Sequence, residues 1–353
     1  MAKQILYLVY GDNEAYRHEA KFSILTLLDC LGPRTDIDIL VMTDRAQDYV
    51  GWPVEAVQLS PATMEQWLGT YNYNHRRKPC AISAALRRNK DTLFVDTDTY
   101  FVKSPESLFR QISQGIYLID QFEWCWGRTA SFPTFKGLRA DLVARGQIPP
   151  DTLRLYNSGV CGLQPSDLEL IEKSTELIDQ WAAHCHGNHV IEQVALSFML
   201  HGKQVEETKN YIYHYFPKKK YLRAMLKAFF QLHGEDFRKE LPALTREVPK
   251  GRFYPPLWQR AWVKWHIRHL DGPSRGFARL LLYGCLSDEP PYMESCQHIW
   301  WDRLLKGGCP DPRFREAILN DRWPVQIPYP KAKADQTKIA LAYLKPRLAE
   351  RRA

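Results

Sequence analysis

The sequence lacks any apolar run approaching the roughly 18 residues that a membrane-crossing helix requires, so no spanning segment is expected. Its eight cysteines are scattered without a CxxC pair. That spacing excludes the usual zinc-ribbon and disulfide frameworks and favours reduced thiols in a cytoplasmic protein. No internal repeat or low-complexity stretch appears, which argues against solenoids and linkers. The opening MAKQILYLVYGD has no small-residue cleavage site and is better taken as a first strand than as a signal peptide. Acidic residues are scarce in one place only: positions 217–280 carry 15 Lys and Arg against 5 Asp and Glu. The chain's formal charge of +8 therefore belongs to that segment, and the remainder is close to neutral. Such a segment suits a diphosphate, an anionic acceptor, a membrane surface or nucleic acid.

What is present is ordinary for a globular protein: 353 residues, 45% hydrophobic and 25% charged. That length allows one large domain with a substantial appendage. Lys3 to Tyr10 runs apolar as a strand, and Gly11-Asp12-Asn13 ends it in turn residues. Glu14 to Asp29 follows with Ala20, Ile24, Leu27 and Leu28 at helical spacing. Ile37 to Met42 and Val54 to Leu59 are the next strands, and Arg77 to Arg88 is a helix with Ala81, Ala84, Ala85 and Leu86 inward. Strands alternating with helices predict an α/β fold with a mostly parallel sheet. Beyond it, Glu106 to Ile112 is a helix and Gly115 to Ile119 a strand. Asp120 to Pro150 shows few periodic signals and is expected to wander near the site. Leu153 to Gln164 is a strand interrupted at Asn157-Ser158-Gly159; Asp167 to Ala183 and His189 to His201 are helices; Tyr211 to Tyr215 is a short strand. From Pro217 the chain becomes basic, aromatic and helical in patches, with irregular order expected from Asp288 onward before a final charged helix near Asp335 to Arg351. The expected division is 1–216 and 217–353.

Thr92 to Ser104 organises the rest. Leu93, Phe94 and Val95 run into Asp96-Thr97-Asp98, which reads as a buried parallel strand ending in two carboxylates. The carboxyl edge of an open α/β sheet is where ligands bind. Side chains alternate along an extended strand, so Asp96 and Asp98 share a side and make a hard-oxygen site for Mg²⁺ or Mn²⁺. Three readings fit the motif. Asp96-Thr97-Asp98-Thr99 satisfies the haloacid-dehalogenase phosphohydrolase pattern with Asp96 as nucleophile. It equally satisfies the Asp-x-Asp of nucleotide-sugar glycosyltransferases, and a strand-to-loop turn that merely carries two acids needs no chemistry. Downstream, no acidic pair of the hydrolase kind appears.

The order of pieces resembles glycosyltransferase family 8, the glycogenin and lipopolysaccharide galactosyltransferase group of the GT-A fold. The resemblance covers roughly residues 3–220. It rests on Tyr16 and Ser23, Lys78, Phe94 to Thr99, Tyr156 to Val160, Glu192-Gln193, and His214 followed by Lys218. It implies a hexosyltransferase that moves a sugar from a UDP-sugar with retention of configuration, and Mn²⁺ or Mg²⁺ held by Asp96, Asp98 and His214. It also implies that Asn157, Glu192 and Gln193 act at the donor sugar. Tyr10, Asp12, Tyr16, Lys78, Thr97, Ser158, Gly159 and Lys218 would contact the nucleotide sugar, with Asp44 near the ribose. Two departures stand out: Glu192 replaces the usual Asp, and Tyr215-Phe216-Pro217 displace the usual Gly between His214 and Lys218. Residues 217–353 would shape the acceptor site, whose acceptor the sequence leaves open as saccharide, lipid-linked or protein.

Other signals count for less. His184-Cys185-His186-Gly187-Asn188-His189 is zinc-like in composition, but its spacing fits no common zinc pattern. Trp258, Trp262 and Trp265 at i, i+4, i+7 are most simply a helix packing on the core. Interleaved with Arg260, Lys264, His266 and Arg268, the same helix suits peripheral contact with the inner face of a membrane. A non-enzymatic nucleic-acid surface over 217–280 is the remaining alternative.

Overall fold

The computed structural model describes residues 2–32, 36–183, 190–250, 254–287 and 289–350. The chain divides into two compact units, one of Met1–Phe216 with Asp236–Thr245 and one of Pro217–Glu235 with Arg246–Ala353.

In the first unit β1 (Lys3–Val9), α1 (Glu14–Leu31), β2 (Ile37–Thr43) and β3 (Glu55–Gln58) follow one another as the alternation of apolar runs requires. Asn13 caps α1 by accepting from the Ala15 amide at 3.0 Å, with Glu14 favourably placed in the first turn. α2 (Pro61–Gln66) and α3 (Arg77–Leu86) lead into β4 (Asp91–Val95), which is buried along its whole length. β5 (Thr99–Phe101), α4 (Glu106–Ser113), β6 (Tyr117–Cys125), α5 (Lys136–Ala144), β7 (Arg154–Leu163), α6 (Leu168–Ala182), α7 (Ile191–Met199), β8 (Val205–Glu207) and β9 (Ile212–His214) complete the run.

The main sheet has the order β3-β2-β1-β4-β7-β6-β8. β1 pairs parallel with β2 and β4, β2 with β3 and β6 with β8, while β7 runs antiparallel between β4 and β6. The fold is thus α/β with a mostly parallel sheet and flanking helices. β5 and β9 form a separate antiparallel pair in which Thr99 faces His214. Two expectations change. The strand predicted at 115–119 continues to Cys125, and α5 occupies part of the supposed excursion at 120–150. Polar and aromatic residues alternate there with no apolar run to announce a strand. The interruption expected at Asn157-Ser158-Gly159 is there: Asn157 pairs with Gln121 and Cys161 with Ile119, so Ser158, Gly159 and Val160 of β7 bulge opposite Asp120 alone.

Of the second unit, α8 (Lys219–His233) precedes α9 (Leu241–Leu244), and α9 packs on α1 within the first unit. α10 (Leu257–His266), α11 (Gly272–Leu286), α12 (Gln297–Lys306), α13 (Pro312–Leu319) and α14 (Ala334–Glu350) make the remainder helical; α14 is the expected final helix, whereas α12 and α13 stand where irregular order was expected. Its core gathers Phe277, Leu281, Trp300, Trp301, Phe314 and Leu344. Trp258 and Trp265, expected in a core, are 71% and 62% exposed, and Val263 and Ile267 face inward instead. No helix among the described residues is long and apolar enough to cross a membrane. The described cysteines are free thiols, and the His184–His189 cluster lies outside the described residues.

Leu93 is fully buried in central β4. Leu93→Ala is expected to lower unfolding free energy by about 3 kcal/mol, through lost transfer energy and the cavity left behind. Urea denaturation followed by circular dichroism measures it.

Candidate active site

The turn after β4 is built from the interior outward. The Tyr7 hydroxyl lies 3.0 Å from Ser23 Oγ, Ser23 Oγ lies 3.0 Å from Thr99 Oγ1, and Thr99 donates to the Asp96 carbonyl at 2.8 Å. The Phe101 amide donates to Thr26 Oγ1 at 3.0 Å. A buried chain of hydroxyls therefore ties residues 96–101 to β1 and α1. On the other side the Asp96 amide donates to the Gly159 carbonyl at 2.7 Å and the Tyr215 amide to the Asp98 carbonyl at 3.1 Å. Burial makes each of these bonds hard to exchange for water.

Asp96, Asp98 and His214 each offer a ligand atom, and those atoms lie within 4.8 Å of one another. His214 Nε2 is 3.3 Å from Asp98 Oδ2, while its Nδ1 is 2.6 Å from Asp120 Oδ2. Burial works against the charged ring, yet the carboxylates of Asp120 and Asp98 more than offset it and lift the His214 pKa to about 10. Asp120 lies in β6 beyond the end of the predicted strand, where sequence reasoning missed it. No local signal marked it; the antiparallel course of β7 and the β5-β9 pair brings it to His214.

Lys78 enters from α3. Its ammonium donates to Asp96 Oδ2 at 3.1 Å, to Ser158 Oγ at 3.2 Å and to the Ser158 carbonyl at 3.3 Å, and lies 3.6 Å from Glu192 Oε2. Burial again opposes the charge, but Asp96 and Glu192 prevail and the Lys78 pKa is raised. Burial pushes the carboxyls of Asp96 and Glu192 up from their ordinary range. Glu192 is buried, and it accepts from Ser158 Oγ at 2.9 Å.

A second missed residue is Glu123. It accepts from Asn157 Nδ2 at 3.0 Å through Oε1 and from Gln193 Nε2 at 3.1 Å through Oε2. One carboxylate thus fixes both amide planes. The Asn157 oxygen is thereby free to accept from the Gly159 amide at 2.9 Å.

Of the other residues singled out, Thr97 is half-buried between the two acids. The Arg77 guanidinium sits 4.8 Å over the Tyr10 ring, and burial raises the Tyr10 phenol pKa. Gly11, at φ 87, donates its amide to Asp44 Oδ2 at 3.0 Å. Asp44 Oδ1 is buried with no hydrogen-bond partner among the described residues. Asp12 and Tyr16 are exposed, Asp12 pairing with Arg45 at 3.3 Å. Lys218 is a residue of the second unit rather than of this one.

The cluster fits a divalent cation on its own chemistry. Carboxylates of Asp96, Asp98, Asp120, Glu123 and Glu192 outnumber the cationic partners Lys78 and His214. With Nδ1–H directed at Asp120, exchange of the Nε2 proton for a metal ion would leave Nε2 and the Asp98 carboxylate facing one centre. A carboxylate behind a histidine is also the arrangement that orients metal-ligating imidazoles. Mixed carboxylate and imidazole donors suit Mn²⁺ better than Mg²⁺.

No known family profile matches this chain, and no curated protein matches it. Solved structures give partial overlaps. Mouse xyloside xylosyltransferase 1 in its apo form is 14% identical, over 58% of this chain and 84% of that one, at a TM-score of 0.40. The galactosyltransferase LgtC in complex with donor and acceptor sugar analogs is 12% identical, over 58% of this chain and 74% of its own, also at 0.40. The apo form of the glycosyltransferase GlyE of Streptococcus pneumoniae TIGR4 is 11% identical, over 59% of this chain and 46% of its own, at 0.34.

Gly159 has a steric reason to be glycine. A Cβ there would lie 2.4 Å from His214 Cε1 and Nδ1. Gly159→Ala is expected to cost about 1–3 kcal/mol by forcing the ring off its place. The fall in thermal midpoint, alongside an unchanged far-ultraviolet spectrum, measures it.

Proposed function

We propose that this protein is a glycosyltransferase that moves a hexose from a UDP-sugar to an acceptor, with metal dependence and retention of configuration. One observation carries the reading: Asp96, Asp98 and His214 converge at the carboxyl edge of β4, beside the Lys78 ammonium and the Asn157–Gly159 segment. Asp96, Asp98 and His214 would hold Mn²⁺, which when bound supplies positive charge to the diphosphate leaving group.

The chain's own side chains supply the rest. Lys78, kept protonated by Asp96 and Glu192, is a second fixed positive charge for the departing phosphate. Each ~1.4 kcal/mol gained as the sugar–phosphate bond breaks is worth a tenfold rate. Gln193 donates its NH₂ to Glu123, so its carbonyl oxygen is turned away from that partner and is available to the electron-poor sugar. Glu192, buried among Ser158 and Lys78, positions those two groups rather than meeting sugar hydroxyls directly. The unpartnered Asp44 Oδ1 next to the Gly11 turn is an acceptor for a ribose hydroxyl or a base N–H, and Tyr10 supports a uracil pocket there. The phosphohydrolase alternative is weaker, because a carboxylate tied by Lys78 at 3.1 Å is a poorer nucleophile than a free one.

The decisive test is ligand-induced stabilisation. UDP at about a hundredfold over its dissociation constant would stabilise the fold by about 2.7 kcal/mol. Differential scanning calorimetry should show that gain with Mn²⁺ and lose it with a chelator or in Asp98→Asn; a metal-independent gain of the same size sinks the proposal. Asp44→Ala is expected to weaken UDP about tenfold, the loss of roughly one hydrogen bond to a charged group, by isothermal titration.

A further inference from the structure

The second unit holds a cavity of about 810 Å³ between α10 and α11, distant in kind from the site above. Arg260, Lys264, Arg268, Arg275 and Arg279 line it together with apolar and aromatic side chains and no carboxylate. None of these five cationic side chains has an ion pair or hydrogen bond among the described residues. Five uncompensated cations around one concavity repel one another, and a multivalent anion is what relieves that repulsion.

The rim is apolar. Leu257 is 77% exposed, beside Trp258 and Trp265. Helical spacing puts Leu257, Ala261, Lys264 and Trp265 along one side of α10, with Arg268 in the turn just after it, and Val263 and the capping Ile267 are buried. The Arg268 guanidinium lies 3.5 Å from the Trp265 ring centroid. Stacked in this way, it keeps its edge N–H groups for bidentate donation to a phosphate. Exposed Trp and Leu next to phosphate-seeking cations are the pattern of a helix at a bilayer interface. A nucleic-acid surface needs a stripe that tracks a backbone, and cations gathered around one concavity do not supply one.

We propose that this cavity binds the phosphate headgroup of an anionic membrane lipid, with Leu257, Trp258 and Trp265 entering the interfacial layer beside it. All of its lining residues belong to the second unit, so the proposal stands apart from the transferase reading.

The full-length protein is tested by co-sedimentation with vesicles of phosphatidylcholine, with or without phosphatidylglycerol. Binding is expected only with phosphatidylglycerol, with tryptophan emission moving to shorter wavelength. Arg275→Gln with Arg279→Gln should weaken binding more than about tenfold. The charge-matched pair Lys306→Gln with Arg322→Gln, outside the cavity lining, should change it less than about twofold, as expected for bulk charge alone. Arg268→Gln gives a second, milder variant, and unfolding midpoints of all variants verify the fold. Equal losses in the two double variants would overturn the proposal, as would equal binding to neutral vesicles. Tighter binding of soluble glycerol phosphate than of vesicles would reassign the cavity to a free phosphate. Salt-sensitive binding to duplex DNA without vesicle binding would reassign it to nucleic acid. Either result overturns the lipid.

Discussion

The structure of the first unit turns on an imbalance of charge. Several carboxylates are drawn to the carboxyl edge of β4 and partly withdrawn from water, and only an ammonium and an imidazole stand against them. Desolvated like charges at such range are unfavourable unless something positive is held among them. The surrounding fold supplies that: α3 delivers Lys78, β9 delivers His214, and β6 delivers Asp120 to fix which way the imidazole points. Hydroxyls of Tyr7, Ser23 and Thr99 then lock the turn so that the acids cannot swing apart. Sheet order, helix placement and buried polar bonds all serve to keep repelling groups together.

Much of this was legible in the sequence, and for definite reasons. Apolar runs at 3–10, 37–42 and 92–95 carry strand periodicity that packing does not override, so the alternating α/β order follows from them. The acids at 96 and 98 are visible because an apolar strand running into charge is an unusual local event. Asp120 and Glu123 are not visible in that way. They sit in a stretch whose alternation is blurred by aromatic and polar residues, and their roles arise from pairing with β7 and β9, a long-range property that spacing does not encode. Trp258 and Trp265 failed for the opposite reason. Their helical spacing is real, but periodicity says only that residues share a face and leaves open which face meets the core. Val263 and Ile267, smaller and β-branched, took the interior.

The two units use cations differently. In the first, Lys78 is surrounded by carboxylates and a hydroxyl, so its charge is specified and largely neutralised in place. In the second, the arginines lining the cavity stand together without acidic partners among the described residues. Five of the basic segment's cations thus line one concavity with an aromatic rim, rather than being interspersed with acids as on an ordinary soluble surface.

β7 bulges where the site is built: Ser158, Gly159 and Val160 stand between Asn157 and Cys161 and face a single residue of β6, Asp120. A bulge re-aims the side chains beside it, and this one is pinned on every side: Asn157 by Glu123, the Ser158 hydroxyl by Glu192 and Lys78, the Gly159 amide by the Asn157 oxygen. Losing one of the extra residues would carry Asn157 out of step with Glu123 and turn the neighbouring side chains to the wrong face. Divergence at this place should leave its trace in residue identity while the number of residues between Asn157 and Cys161 stays constant.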